Sequence, residues 1–133
     1  MLGTGYLQSQ QTNRANELFD TALGRPEIKF QDVAAIANYY ATLGNYPKLE
    51  MSIKKMVSLA PDQPEPRYDL GALQAIMGNQ AEALQNLKTA LDMSAKRLAK
   101  DPKARDLVDA ARTDNRLDRL RSLPEFQKLI PPK

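Results

Sequence analysis

The sequence predicts an all-α chain: a solenoid of antiparallel helix pairs closed by a C-terminal capping helix. Three observations carry this expectation. The 133 residues resemble themselves at a spacing of 34. Apolar residues recur at i, i+3, i+4 and i+7, with breaks at Gly and Pro. No segment alternates β-branched and polar residues as a half-buried strand would.

The spacing is clearest at Leu43-Gly44-Asn45 and Met77-Gly78-Asn79, whose glycines lie 34 residues apart. Ahead of the first, Val33, Ile36, Ala37 and Tyr40 line one helical face. Gly44 supplies the positive φ that a helix C-terminus favours, and Pro47 falls where a second helix would start. Leu49, Ile53, Met56 and Val57 give that helix its stripe, and Pro61-Asp62-Gln63-Pro64 ends it. The next unit repeats the pattern with Leu70, Gly71 and Leu73, a break at Gly78-Asn79, then Ala83, Leu84, Leu87, Ala90 and Leu91. Stepping back one period reaches Leu2-Gly3, Tyr6, Ala15, Phe19 and Ala22, with no insertion in the register.

Composition removes most chemistry. The chain is 42% apolar and 26% charged, as globular domains are. It has no His and no Cys, so no imidazole can act as a base or ligand and no thiolate can attack or bind zinc. Glu65 and Asp69 pair at i, i+4, but two acids on a helix face usually serve solubility. No phosphate loop occurs, and Asp92, Asp101, Asp106 and Asp109 lack the pattern of a calcium loop. No catalytic residue, metal site or cofactor is expected, and the chain is not read as an enzyme. It shows no secretory signal and no run of the roughly 20 apolar residues a membrane span needs, so it is expected to be soluble as given. No compartment can be named.

These helix pairs, with Leu-Gly landmarks and a 34-residue period, resemble the tetratricopeptide repeat family over residues 1–97. The resemblance implies a right-handed superhelix. It divides the chain into a truncated repeat 1–29, repeats 30–63 and 64–97, and a closing region 98–133. The family wants small residues where the two helices of a repeat touch. This chain offers Gly3, Ala15 and Ala22, then Ala37, Leu49 and Met56, then Gly71, Ala83 and Ala90. Leu49 and Met56 are large, so the second repeat is expected to splay. Gln74 stands where the family usually has Tyr, and Arg67 where it often has Trp. Ala95 replaces a terminating Pro, so the last repeat helix is expected to run to about Lys100.

The resemblance also implies a function: binding a partner protein or peptide on the concave face. Carried over by register, that face comprises Thr4, Leu7 and Gln8, then Gln31, Ala34, Asn38, Ala41 and Thr42, then Glu65, Tyr68, Ala72, Ala75 and Ile76. Tyr68 and Ile76 either anchor a ligand or pack between helices; the sequence leaves both open. The chaperone-binding subtype grips a terminal carboxylate with Lys and Arg. Here Ala34 takes the Lys position, and Glu65 and Asp69 stand nearby, so no chaperone-tail clamp is expected.

In the closing region, a capping helix is predicted over Lys103–Arg112, broken at Thr113-Asp114, with a short turn at Leu117 and Leu120. Ser122-Leu123-Pro124-Glu125 offers a capping box ahead of Phe126, Leu129 and Ile130. The run TDNRLDRLRSLPEFQKLI resembles the closing segment of many bacterial tetratricopeptide proteins, which implies a natural C-terminus nearby. Residues 1–97 carry ten basic and ten acidic side chains, and residues 98–133 nine and six, so the net charge of +3 lies in the closing region. Arg112, Arg116, Arg119 and Arg121 could form a basic ridge for nucleic acid or acidic lipid. Interleaved Asp109, Asp114 and Asp118 argue instead for a solvated face, so nucleic acid and membrane are not the expected partners. The register starts mid-repeat at Met1, as in a piece of a longer protein, such as an accessory segment of an enzyme, or in a solenoid with a shortened first helix. Such an end would expose Leu2, Tyr6 and Phe19 and invite self-association.

Overall fold

The computed structural model describes residues 14–131. They form α1, helical through 14–23, then α2 (Phe30–Leu43), α3 (Tyr46–Leu59), α4 (Pro64–Ile76), α5 (Gln80–Lys100), α6 (Leu107–Thr113), a 3₁₀ helix (Asn115–Leu120) and α7 (Pro124–Leu129). Among the described residues there is no strand, and the fold is all-helical.

The two Leu/Met-Gly-Asn turns are built alike. Gly44 and Gly78 take φ of 69° and 87°, a region that costs residues with a Cβ. At the first turn the Gly44 N–H donates to the Ala41 carbonyl and the Asn45 N–H to that of Tyr40. At the second, Gly78 donates to Ala75 and Asn79 to Gln74. Both pairs satisfy the last carbonyls of the preceding helix in a Schellman arrangement. Each turn feeds directly into a helix packed on the one before it, so α2 with α3 and α4 with α5 are helical hairpins. Asn45 caps α3 by accepting from the Lys48 N–H, and Pro47 sits in the first turn, where its missing N–H costs nothing. Pro64 opens α4 in the same way.

The core is strung along the chain as three clusters. Leu23, Val33, Ile36 and Tyr40 gather Phe19 and Ile28 between α1, α2 and α3. Ala37, Ile53, Leu70 and Leu73 form the second cluster, between α2, α3 and α4. Half-buried Leu49 and Met56 pack into both, so the two bulky residues expected to splay α2 from α3 join neighbouring clusters. The third cluster joins Tyr68, Ala72, Leu87 and Leu91 to the closing region through Leu107, Leu117, Leu120 and Phe126. At ~25 cal/mol per Å² of apolar surface removed from water, such large side chains contribute about 1.5–3 kcal/mol each.

Residues 98–131 thus cover α4 and α5, but two of their elements differ from expectation. The capping helix starts at Leu107 and not Lys103, because the Asp106 carboxylate accepts from the Val108 and Asp109 N–H groups and nucleates the helix there. Ser122 forms no capping box. Leu123 is the N-cap of α7 without a side-chain bond, which puts Ser122 one residue too early. α5 ends at Lys100, as the missing Pro predicts.

At Gly71, α4 lies in close contact with α5. A Cβ built there would lie 2.9 Å from Leu87 Cγ and 3.1 Å from the Ala83 carbonyl oxygen. Gly71→Ala gains about 1 kcal/mol of helix propensity, but overpacking costs about 1–3 kcal/mol. Urea unfolding of Gly71→Ala is expected to show a net loss of about 1 kcal/mol or more, and a stabilised variant would contradict the close contact.

Candidate functional site

Short turns place α2 and α4 on either side of α3, and an open groove of about 380 Å³ lies between them. Ala34, Asn38 and Ala41 of α2 line one side. Asp69, Leu73 and Ile76 of α4 line the other. Leu49, Ile53 and Met56 of α3 close the bottom, and Arg116 of the 3₁₀ helix reaches in from the closing region. The lining is mostly small or aliphatic, and its charged members are Asp69 and Arg116. A second hollow of about 460 Å³ opens between α1 and α2 around Phe19, Ala22, Ile28 and Ile36. Its rim mixes Arg25, Lys29, Glu27 and Asp32 without a dominant sign.

The predicted face is divided by the structure. Asn38 is exposed and Ile76 half-buried, and both line the groove. Gln31 and Thr42 are exposed outside its lining, and the Thr42 hydroxyl donates to the Asn38 carbonyl. Gln8, with Thr4 and Leu7, lies outside the described residues. Ala72, Ala75, Tyr68 and Glu65 are instead engaged within the fold. Ala72 and Ala75 are fully buried in the third core cluster, because their face of α4 meets α5 and the closing region. Tyr68 is no anchor for a ligand: only 3% of it is exposed, and its hydroxyl donates to Asp114 Oδ2 at 2.8 Å. Glu65 is held by Arg97 at 2.6 Å. Burial acts to raise the Glu65 pKa, but the Arg97 hydrogen bond, a backbone hydrogen bond and the charges of Arg97 and Arg105 together lower it.

Asp114 is the hub that ties the closing region to α4. It receives the Tyr68 hydroxyl, the Arg116 N–H and a two-pronged contact from the Arg116 guanidinium, with Nη2 at 2.7 Å. The same guanidinium lies 5.7 Å from the Tyr68 ring centroid. Burial acts to raise the Asp114 pKa, but these hydrogen bonds pull it down to about 2. They also raise the Arg116 pKa. Tyr68 moves up, first through burial and then through its bond to Asp114. Asp69 obtains only the remaining Arg116 Nη1, at 3.3 Å, and burial raises its pKa more than Arg116 lowers it.

The other arginines of the predicted ridge are also engaged. Arg112 pairs with Asp109 at 3.2 Å, and Arg121 with Asp118 at 2.9 Å. Arg119 donates to the Ile76 carbonyl, and Arg121 to those of Ala111 and Asp114. Of the residues assigned to an exposed N-terminal end, Phe19 packs edge-on against Tyr39 at 4.8 Å; Leu2 and Tyr6 lie outside the described residues. Sequence reasoning missed buried Gln74. Its amide donates to Glu50 and Glu82 and its oxygen accepts from Asn86, linking α3, α4 and α5. It also missed Arg116 as a groove residue and its pairing with Asp69. Pairing over 47 positions leaves no local signal.

Among the described residues, no group of acidic side chains is arranged to hold a metal ion, and no helix is long and apolar enough to cross a membrane. The chain matches no family model, no curated protein and no solved structure.

The depressed Asp114 pKa has a definite sign. Its folded value lies below the ordinary ~3.9, so its stabilisation is complete above about pH 4 and is lost as pH falls toward 2. The raised Asp69 pKa acts oppositely and favours the folded state as it protonates. Asp114→Asn is expected to lower the melting temperature at pH 6 and to flatten its fall between pH 4 and 2. An unchanged acid limb would show that Asp114 does not fasten the closing region.

Proposed function

We propose that the chain is a right-handed solenoid of tetratricopeptide-like repeats that works as a protein-interaction module. It takes a short segment of a partner protein in the groove between α2 and α4. The observation that carries this reading is the groove itself. It lies between two helices related by the 34-residue register, and Ala34, Asn38, Ala41 and Ile76 stand on it as the resemblance implies.

Three further features support the repeat architecture. Both hairpins turn through the same glycine-centred hydrogen bonds. The core is a row of clusters and not one ball. Gly71 brings two helices together at a position where the family wants a small residue. Peptide recognition fits the lining chemistry. Apolar walls bury side chains, and the exposed Asn38 amide can both donate to and accept from a peptide backbone. Catalysis has less to work with, since the sequence holds neither His nor Cys. Of the arginines that could have served an anionic surface, Arg112, Arg116 and Arg121 pair with carboxylates, and Arg119 donates to the Ile76 carbonyl.

Selection from a random peptide library displayed on phage tests the reading. Selected peptides are expected to shift the amide resonances of Ala34, Asn38 and Ile76. Ile76→Glu should weaken them about tenfold, the scale of a buried interface contact. Lys88→Glu on the exposed side of α5 should leave their affinity unchanged. Selected peptides that ignore Ile76→Glu would place recognition elsewhere and sink the proposal.

A further inference from the structure

Resting on the peptide-groove reading, we propose that the occupant is a basic peptide segment. One lysine or arginine pairs with Asp69, and a neighbouring aliphatic residue packs on Leu73 and Ile76. Charge complementarity carries the choice. The charged side chains lining the groove are Asp69 and Arg116. Arg116 cannot serve a ligand cheaply, because its Nε and Nη2 are bound to Asp114 and its Nη1 to Asp69. An anionic ligand approaching the N–H donors that remain would meet both of these carboxylates beside them.

Asp69 stands in the opposite position. It shares the Arg116 guanidinium with Asp114, and the further positive charge nearby, Arg105, makes no ion pair with it. Its single contact is the longest of the arginine's carboxylate bonds, at 3.3 Å, made through Oδ1. Its side chain is 47% exposed, and Oδ2 has no hydrogen-bond partner among the described residues. A carboxylate with one free oxygen, beside apolar walls, offers an incoming ammonium or guanidinium a charge-assisted bond. Leu73 and Ile76 lie one and two turns further along α4, near enough for the residue next to that cation. The exposed Asn38 amide faces them across the groove and is free for the peptide backbone.

The test uses three acetylated, amidated pentapeptides of the form Gly-Leu-X-Leu-Gly, with X as lysine, norleucine or glutamate. Each is titrated into the isotope-labelled full chain and followed by amide chemical shifts. The lysine peptide is expected to bind about fivefold tighter than the norleucine peptide, the upper range for a partly exposed ion pair, with the glutamate peptide weakest. Asp69→Asn should erase the lysine preference and leave norleucine affinity unchanged. Ala34→Lys, which adds a positive charge on the opposite wall of the groove, should reverse the preference toward glutamate. Equal lysine and norleucine affinities, with shifts confined to the groove, would overturn the Asp69 assignment and leave the groove reading standing. Shifts outside the groove, or none with any of the three peptides, would overturn both.

Discussion

The close contact of α4 with α5 at Gly71 is the constraint on which the rest of the structure depends. Absence of a side chain there lets Leu87 and the Ala83 carbonyl approach the α4 backbone. α4 then becomes the most enclosed helix, with nine of its thirteen residues buried. α3 packs on one flank, α5 on another, and the 3₁₀ helix of the closing region on a third. What α4 leaves partly open, chiefly Asp69 and Ile76, becomes one side of the groove. Core and candidate site are therefore two faces of one element.

Polar groups in this enclosed zone are satisfied by partners distant in sequence. A buried hydroxyl or amide left unpaired costs about 1–3 kcal/mol, so Tyr68 and Gln74 are tolerable only because Asp114, Glu50, Glu82 and Asn86 reach them. The closing region consequently does more than cover apolar surface. Through Asp114 and Arg116 it supplies the partner of Tyr68 and the counter-charge of Asp69. Among its arginines, Arg116 reaches out to Asp69, Arg121 pairs with Asp118, and Arg119 donates to a backbone carbonyl. At the other end, Asp20 plays a smaller version of this role. It receives Lys48 at 2.6 Å and the Tyr40 hydroxyl, whose pKa burial and Asp20 together push up to about 12.

The legible parts of the fold were those governed by local backbone chemistry. Gly44 and Gly78 admit the positive φ of a helix end, and Pro47 and Pro64 fix φ and remove a donor, so the helix boundaries they set could be read directly. The apolar stripe Val33, Ile36, Ala37 and Tyr40 is buried throughout because helical period alone decides it. The start of α6 was misplaced because Ala104 continues an apolar spacing, while the Asp106 cap overrides it. In the groove, Asn38 and Ile76 followed from register. Tyr68 and Ala72 did not, since register names a face of α4 but not the element that covers it. That element is the closing region, more than forty residues away. Asp69 was read only as a charge unfavourable to a carboxylate. Its pairing with Arg116 needed the fold.

Native-state hydrogen exchange measures most directly whether α4 is the keystone. The account predicts that amides from Leu70 to Ala75 exchange only through global unfolding, with α5 close behind. Those of α1 and α2 should open at lower free energy, and the Asp114 lock should set how early the closing region releases. Slowest exchange in α2, with α4 opening ahead of it, would contradict the claim that the Gly71 contact organises the fold.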